Sequence, residues 1–246
     1  MNTWIIPMAG KGTRTQSLGE FKPFIEINGH KIIFWFLFSI KRLLKNDDQI
    51  IFVTTKYFAK KFKVKKEIQK ILKELHIKIK SNIVETPNNP AGQSISIEFA
   101  KKFTRMNNPL IIANPDQYID FDLPESIKNN YLPLYLQLGN KSGFVSIRNG
   151  LITKFAEKRN ISNFACTGVY ITAKAKWLFL AIKEQIKNKD MLNGEFYLGP
   201  AFNYLIKGGY KVEPLMIRAK YDLGNLKDIT TFKENNISRQ ININKF

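Results

Sequence analysis

The sequence predicts a Rossmann-like α/β fold, in which a mixed central sheet lies between two layers of helices. Over the first 124 residues, short continuous apolar runs alternate with helical segments, which is typical of parallel strands buried on both faces. After Pro124 the strands follow one another through tight turns, which indicates antiparallel pairing. We expect a single domain over residues 1–246, with halves at 1–124 and 125–232 and a polar tail at 233–246.

In the first half, the apolar runs predict strands and the amphipathic or wholly apolar segments predict helices. The predicted strands are residues 4–9, 49–54, 77–84 and 110–113, and the predicted helices are residues 30–44, 58–75 and 94–103.

In the second half, the pair Asn149-Gly150 separates two apolar segments and is a strong signal for a tight hairpin. The predicted strands are residues 132–138, 143–147, 151–156, 165–171 and 210–217, and the predicted helices are residues 173–187 and 195–206.

The net charge of +19 raises the question of a nucleic-acid partner. The excess consists almost entirely of lysine, with 32 Lys against 7 Arg, and these lysines are scattered rather than grouped with aromatic residues. We therefore expect no nucleic-acid partner, although the positive field should attract small anionic ligands.

The remaining composition limits location and metal chemistry. The single cysteine excludes an internal disulfide, and two histidines are too few for a histidine metal cage. Residues 1–4 do not begin a signal peptide, and no apolar stretch reaches about 18 residues. These observations predict a cytoplasmic protein without a membrane segment, and they leave homo-oligomer formation open.

A glycine-rich segment directly follows the first predicted strand and indicates a phosphate cradle. Gly10 and Gly12 allow a sharp turn close to a ligand, and successive backbone N–H groups in such a loop converge on an anion. Positive charge for a triphosphate comes from Lys11, Arg14 and Lys22. The P-loop pattern is absent, and Thr15 stands where a dinucleotide fingerprint requires glycine.

A strand, then G-x-G-T-R, then Lys22-Pro23 resembles the signature of the sugar-phosphate nucleotidyltransferases, and the resemblance extends over residues 4–232. It implies a GT-A-like fold of the nucleotide-diphospho-sugar transferase type, with a nucleotide-binding half at 1–124 and an acceptor-binding half at 125–232. The wording of residues 6–10, 113–118 and 194–197 is most similar to members in bacterial capsule and surface-polysaccharide pathways.

The resemblance also implies roles for residues of the first half. The catalytic residues would be Arg14 at the β- and γ-phosphates and Lys22 at the α-phosphate. The nucleotide-binding residues would be Ala9, Gly10, Lys11, Gly12 and Thr13 at the phosphates, with Asn88, Gly92 and Gln93 at the base.

Two carboxylates are the candidate Mg²⁺ ligands. Asp116 follows the strand that ends at Ala113, and ligands of open α/β sheets bind at the carboxyl ends of the strands. Taken alone, Asp116 is more typical of a turn or a helix cap than of a metal ligand. The resemblance implies that Asp116 and Asp222 hold Mg²⁺ together, although Asn225-Leu226 replaces the usual Thr-Pro after Gly224.

For the acceptor phosphate, the resemblance points to Glu157 and Lys158, to Thr167 and Gly168, and to Glu195 at a helix start. The implied reaction is the attack of a sugar 1-phosphate on the α-phosphorus of an NTP, with release of pyrophosphate. Three alternatives stay open: a cytidylyltransferase acting on a choline-phosphate-like acceptor, a GT-A glycosyltransferase using Asp120-Phe121-Asp122, and a nucleic-acid binder.

Overall fold

The computed structural model describes residues 1–10, 19–139 and 142–234. Its first half consists of β1 (Thr3–Pro7), β2 (Glu26–Ile27), β3 (His30–Lys31), α1 (Ile32–Ile40), β4 (Gln49–Thr55), α2 (Lys56–Lys61), α3 (Val64–Glu74), β5 (Lys80–Thr86), α4 (Gln93–Glu98), β6 (Leu110–Ala113) and β7 (Gln117–Asp120). Its second half consists of β8 (Asn130–Leu136), β9 (Gly143–Arg148), β10 (Leu151–Glu157), β11 (Phe164–Cys166), β12 (Val169–Thr172), α5 (Ala175–Lys187), α6 (Ala201–Lys207), β13 (Val212–Met216), β14 (Ala219–Asp222) and α7 (Leu226–Glu234).

Within the described ranges, ten strands form one mixed sheet. Its order is β10-β9-β11-β8-β12-β6-β1-β4-β5, and β13 pairs with β8. The strands β6, β1, β4 and β5 are parallel, whereas β12 is antiparallel to β6 and begins the antiparallel part. The predicted change from parallel to antiparallel pairing is therefore confirmed.

Alternate residues of the central strands enter two hydrophobic clusters, one on each face of the sheet. Trp4 and Ile6 of β1 belong to one cluster, and Ile5 belongs to the other. Helix α1 packs on the first face, while α5 and α6 pack on the second. Burial on both faces explains why these strands are continuous apolar runs, and it gives the predicted three layers.

The helices predicted at 30–44 and 94–103 are shorter in the structure, at Ile32–Ile40 and Gln93–Glu98, and two other predicted helices differ more. The segment 58–75 is two helices, because Lys63 adopts a left-handed conformation with φ of 47° between α2 and α3. This break allows Phe62 to stack on Phe21 at 5.3 Å between ring centroids. The helix predicted from residue 195 begins only at Ala201, because residues 192–195 form a tight turn.

Two small two-stranded sheets escaped the sequence-based prediction: β2 pairs with β3, and the other lies at the candidate site. It consists of β7 and β14, which pair antiparallel with Asp222 opposite Gln117 and Ala219 opposite Asp120. We call this pair of strands the β7–β14 ribbon. Its strands are short and partly polar, so they lack the apolar run that marks the strands of the main sheet.

Candidate active site

The candidate site lies where the parallel strands end. Ala9 and Gly10 follow β1, and Asn114 follows its neighbour β6, so both segments leave the same edge of the sheet. Ala9 is buried and Gly10 is exposed. Lys11, Gly12, Thr13 and Arg14 lie outside the described residues, so their predicted phosphate contacts stay predictions.

Lys22 forms an ion pair with Asp116 at this edge. Its Nζ lies 2.5 Å from Asp116 Oδ2, and the two side chains are 14% and 36% exposed. Lys22 begins a single 3-10 turn, Lys22–Phe24, in which Pro23 fixes the backbone. Burial raises the pKa of Asp116, but Lys22 and the more distant Lys220 lower it by a larger amount. The net pKa therefore lies below the ordinary value. Asp116 therefore stays ionised near neutral pH.

The β7–β14 ribbon brings the second candidate metal ligand to the same place. The backbone N–H of Leu223 donates a 2.8 Å hydrogen bond to the carbonyl oxygen of Asp116. A Cβ added to Gly224 would lie 3.5 Å from Lys22 Nζ and 3.6 Å from Asp116 Oδ2. Residues 222–224 therefore run directly beside Asp116, although 106 positions separate Asp222 from it in the sequence.

Lys220 is a site residue that the sequence-based prediction missed. It forms an ion pair with Asp222, and its side chain is only 8% exposed whereas that of Asp222 is 51% exposed. Its ammonium also lies 4.9 Å from the centre of the Tyr135 ring. Burial lowers the pKa of Lys220, but Asp222, Tyr135 and Asp116 raise it to a net value above the ordinary one. Lys220 could not be found from the sequence, because nothing distinguishes it there from the other lysines.

Glu157 and Lys158 lie at the end of β10 but do not pair closely with each other. Burial raises the pKa of Glu157 to about 7, and Lys158 offsets this only in part. The ammonium of Lys158 instead donates a hydrogen bond to the Tyr197 hydroxyl and lies 4.4 Å from the centre of that ring. The Lys158 N–H binds the carbonyl oxygen of Ser142, which joins this segment to a neighbouring polar group.

That polar group consists of Tyr135, Gln137 and Ser142. The Tyr135 hydroxyl and the Ser142 hydroxyl each donate a 2.6 Å hydrogen bond to Gln137 Oε1. Tyr135 thus connects Lys220 with the segment that carries Lys158.

Thr167 and Gly168 connect β11 to β12, where the single predicted strand 165–171 is interrupted. Gly168 has a φ of +81°, and a Cβ at this position would lie 2.7 Å from the Asn114 side chain. Its carbonyl oxygen also accepts a 3.0 Å hydrogen bond from the Asn114 N–H. Thr167 is buried, and its hydroxyl accepts from the Val169 N–H. In the structure, these two residues shape the segment beside Asn114.

Glu195 is exposed in the tight turn 192–195, where Asn193 and Gly194 have φ values of 51° and 77°. The prediction that it starts a helix is wrong. The next residue, Phe196, forms backbone hydrogen bonds with Ala91 and Ser94, which holds this segment extended. A role for Glu195 at the acceptor stays a prediction.

The residues predicted for the nucleobase have identifiable packing partners. A Cβ at Gly92 would lie 2.5 Å from the backbone nitrogen of Phe196, so close backbone packing requires glycine here. Gln93 donates a 2.7 Å hydrogen bond to Asn114 Oδ1, and Asn88 Oδ1 accepts a 3.3 Å bond from the Tyr57 N–H. Gln93 therefore connects the predicted base segment with the residues that precede Asp116.

Asp120 and Asp122, the candidate ligands of the glycosyltransferase alternative, bind two arginines instead. Arg42 and Arg218 each contact both carboxylates, and the Arg42 contacts measure 2.8 and 2.7 Å. These arginines lower the pKa of both aspartates. The two positive and two negative charges of these four residues therefore pair with one another.

Asp116 and Asp222 suit Mg²⁺ in the chemistry of their donor atoms, since this ion prefers oxygen ligands and is commonly held by one or two carboxylates with substrate phosphates. Across residues 1–10, 19–139 and 142–234, no group of three or more His, Cys, Asp or Glu side chains could hold a metal. The described residues thus fit a metal whose remaining ligands are phosphate oxygens and water.

No protein-family model matches the chain, and no curated protein sequence matches it significantly. Solved structures do. The nucleoside-diphosphate-sugar pyrophosphorylase from Vibrio cholerae RC9 gives a TM-score of 0.81 at 20% identity, over 94% of this chain and 100% of that chain.

Two further structures have comparable similarity. The inositol-1-phosphate CTP transferase from T. maritima gives a TM-score of 0.72 at 16% identity, over 96% of this chain and 97% of that chain. The UDP-glucose pyrophosphorylase from Acinetobacter baumanii gives 0.74 at 15% identity, over 99% and 95%. These similarities confirm the predicted Rossmann-like three-layer fold with its mixed sheet. None of the helices in the described ranges has the length and hydrophobicity needed to cross a bilayer.

Proposed function

We propose that this chain is a sugar-phosphate nucleotidyltransferase, which joins an NTP and a sugar 1-phosphate to give an NDP-sugar and pyrophosphate. One observation carries the proposal: Lys22 contacts Asp116 at the carboxyl ends of β1 and β6, and the segment 222–224 runs beside both. A cation and two carboxylates therefore lie at the sheet edge from which the predicted phosphate cradle, described only as far as Gly10, begins. The three similar structures support this choice by their fold.

The reaction requires positioning and charge neutralisation more than covalent work by the protein. Lys22 would bind an oxygen of the α-phosphate and stabilise the charge that develops there. Arg14 and the backbone of residues 10–13 would hold the β- and γ-phosphates. The attacking phosphate oxygen is already anionic, so no general base is needed.

Mg²⁺ would be held by Asp116 and Asp222, and it would supply positive charge for the phosphates that meet at the site. Lys22 and Lys220 are the other cations beside these carboxylates. Two ammonium groups and two carboxylates would therefore be available at the position proposed for the reacting phosphates.

The acceptor would bind on the antiparallel side, with its phosphate at Lys158. Glu157, Tyr197 and the polar group of Tyr135, Gln137 and Ser142 offer hydroxyl, amide and carboxyl groups near this segment. Such a set suits an acceptor with several hydroxyls, and it favours a sugar phosphate over a choline-phosphate-like acceptor. We also propose that the product serves surface-polysaccharide synthesis. The support for this is the similarity of residues 6–10, 113–118 and 194–197 to family members in such pathways.

The glycosyltransferase alternative receives no support from Asp120 and Asp122, because both are bound by arginines.

The proposed function is tested by incubating the protein with Mg²⁺ and each of the four NTPs, together with either pools of sugar 1-phosphates or phosphocholine. Pyrophosphate release is measured. We expect release only when an NTP and a sugar phosphate are both present. The variant Asp116→Asn should release far less pyrophosphate than the parent. Asp120→Asn is its matched control and should release about as much as the parent. Release with phosphocholine but with no sugar phosphate would overturn the acceptor assignment, and no release with any acceptor would overturn the function.

A further inference from the structure

Each candidate metal ligand is already bound by a lysine. Lys22 contacts Asp116, and Lys220 contacts Asp222 on the neighbouring strand. The charge of Lys220 also acts through space on Asp116, where it lowers the pKa of that carboxyl. A divalent cation held by this pair must therefore compete with two ammonium groups.

Lys220 is held in this position by its strand and by its packing. It lies opposite Ile119 in the β7–β14 ribbon, two residues before Asp222, so the two side chains leave the same face of the ribbon. Its ammonium lies over the Tyr135 ring, and only 8% of its side chain is exposed to solvent. The lysine therefore cannot leave Asp222 simply by swinging into solvent.

Asp222 is in the opposite situation, because half of its side chain is open to solvent. Water can satisfy an exposed carboxylate, so Asp222 does not need Lys220. A buried ammonium without a counter-charge is costly, so Lys220 does need Asp222 or another anion. In this ion pair, Lys220 therefore requires an anion as its partner. Asp222 does not require Lys220, and its exposed half can be reached by an incoming ligand.

We propose that Lys220 is a positioning residue, which occupies Asp222 in the ligand-free protein and keeps a divalent cation from binding until substrate phosphates arrive. The phosphates give Lys220 a second anion, and they add oxygen ligands for the metal. Binding of metal and of phosphate is then mutually favourable. This inference rests on the proposed metal site, and it concerns when that site forms.

The test measures Mn²⁺ binding by electron paramagnetic resonance of the free ion, with and without pyrophosphate. Lys220→Met removes the charge and keeps an apolar stem over Tyr135, while Lys220→Arg keeps the charge. Lys31→Met is the matched control, because Lys31 is also partly buried and paired with a carboxylate, Glu67, in another part of the chain. Thermal unfolding followed by circular dichroism confirms that each variant is folded.

Without pyrophosphate, we expect Lys220→Met to bind Mn²⁺ about tenfold more tightly than the parent, since one nearby positive charge has been removed. Lys220→Arg and the Lys31 control should match the parent within about threefold on the same electrostatic argument. Adding Asp116→Asn to Lys220→Met should abolish the gain. With pyrophosphate present, the difference between parent and Lys220→Met should shrink.

Equal Mn²⁺ affinity of the parent and Lys220→Met without pyrophosphate would overturn the inference. So would a gain that persists after Asp116→Asn, because the metal would then bind elsewhere. Failure of the proposed function is a separate result: it would be the absence of pyrophosphate release from NTP and sugar phosphate in the parent, whatever its Mn²⁺ affinity.

Discussion

The two ends of the β7–β14 ribbon hold two pairs of aspartates in different ways. At one end, Asp116 and Asp222 are each paired with a lysine. At the other end, Asp120 and its near neighbour Asp122 share two arginines.

The difference lies in the geometry of the cations. An arginine presents a planar fork that can occupy several carboxylate oxygens at once, whereas lysine is a point charge at the end of a flexible stem. Arg218 donates to Asp120 through Nε and Nη2 at 3.0 and 2.7 Å, and it also contacts Asp122. Arginines therefore contact both oxygens of Asp120 and of Asp122, whereas each lysine at the other end contacts one carboxylate oxygen. A local Asp-x-Asp pattern does not distinguish these situations.

The largest expected effect separates the two ends by activity. Asp116→Asn should lower kcat by about 10²–10³ or more, because it removes a proposed ligand of the Mg²⁺ that would neutralise the phosphates. Asp120→Asn should stay within about threefold of the parent, since its partners lie at the other end and the change is expected to have only surface ion-pair effects. Pyrophosphate release under saturating NTP measures both. Equal losses for the two variants would remove the functional distinction.

Lys22→Ala tests the cation at the same end. We expect kcat to fall by about 10²–10³ while the protein stays folded, because one preorganised contact to the developing charge is lost. Lys22→Arg should recover part of the activity, since charge is restored without the original geometry. A Lys22→Ala variant within about threefold of the parent would exclude Lys22 from the mechanism, because loss of such a contact has a far larger effect.

Most of the fold could be predicted because burial on two faces leaves a clear pattern in the sequence. The strands beginning near Trp4, Gln49 and Leu110 are continuous apolar runs, and each is found in the parallel part of the sheet. Asn149-Gly150 was predictable for a different reason: both residues have positive φ, at 51° and 75°, as the tight hairpin turn requires.

The ribbon and Lys220 were not predictable in the same way. The β7 and β14 strands pair across about a hundred residues, and partly exposed polar strands have no distinctive periodicity. The position of Asp222 beside Asp116 could be inferred only from the resemblance to the nucleotidyltransferases. Lys220 matches no residue of that family signature. Its burial results from the ribbon and Tyr135 together, which are distant in sequence.

Glu157 provides a third type of carboxylate, whose pKa responds mainly to burial. Its pKa is about 7 in the folded protein and about 4.5 when unperturbed. The folded state therefore holds the proton more tightly, and its stability should fall as pH rises from about 4.5 to 7 and then level off. We expect Glu157→Gln to remove this decline, which is on the order of 3 kcal/mol. Urea unfolding at pH 5 and pH 8 measures it, and an unchanged pH dependence in the variant would contradict the assignment.

The smallest expected effect concerns the arginine end and has the opposite pH dependence. Arg42 and Arg218 lower the pKa of Asp120 and Asp122 below 3.8, so the ion pairs stabilise the fold above that pH and lose their effect as pH falls through the folded values. Because the groups are largely exposed, Arg218→Gln should lower Tm at pH 7 by no more than a few degrees. The difference from the parent should shrink in about 0.5 M NaCl, where the Debye length is only a few ångströms. It should also shrink as pH falls from 3.8 toward 2, because the unfolded-state carboxylates are protonated over that range. Calorimetric scans of parent and variant at pH 7 and pH 2, with and without salt, measure this difference. A Tm difference that is as large at pH 2 as at pH 7, and is unchanged by salt, would show that Arg218 acts through packing of the ribbon rather than through charge, and the contrast between the two ends would then be one of shape alone.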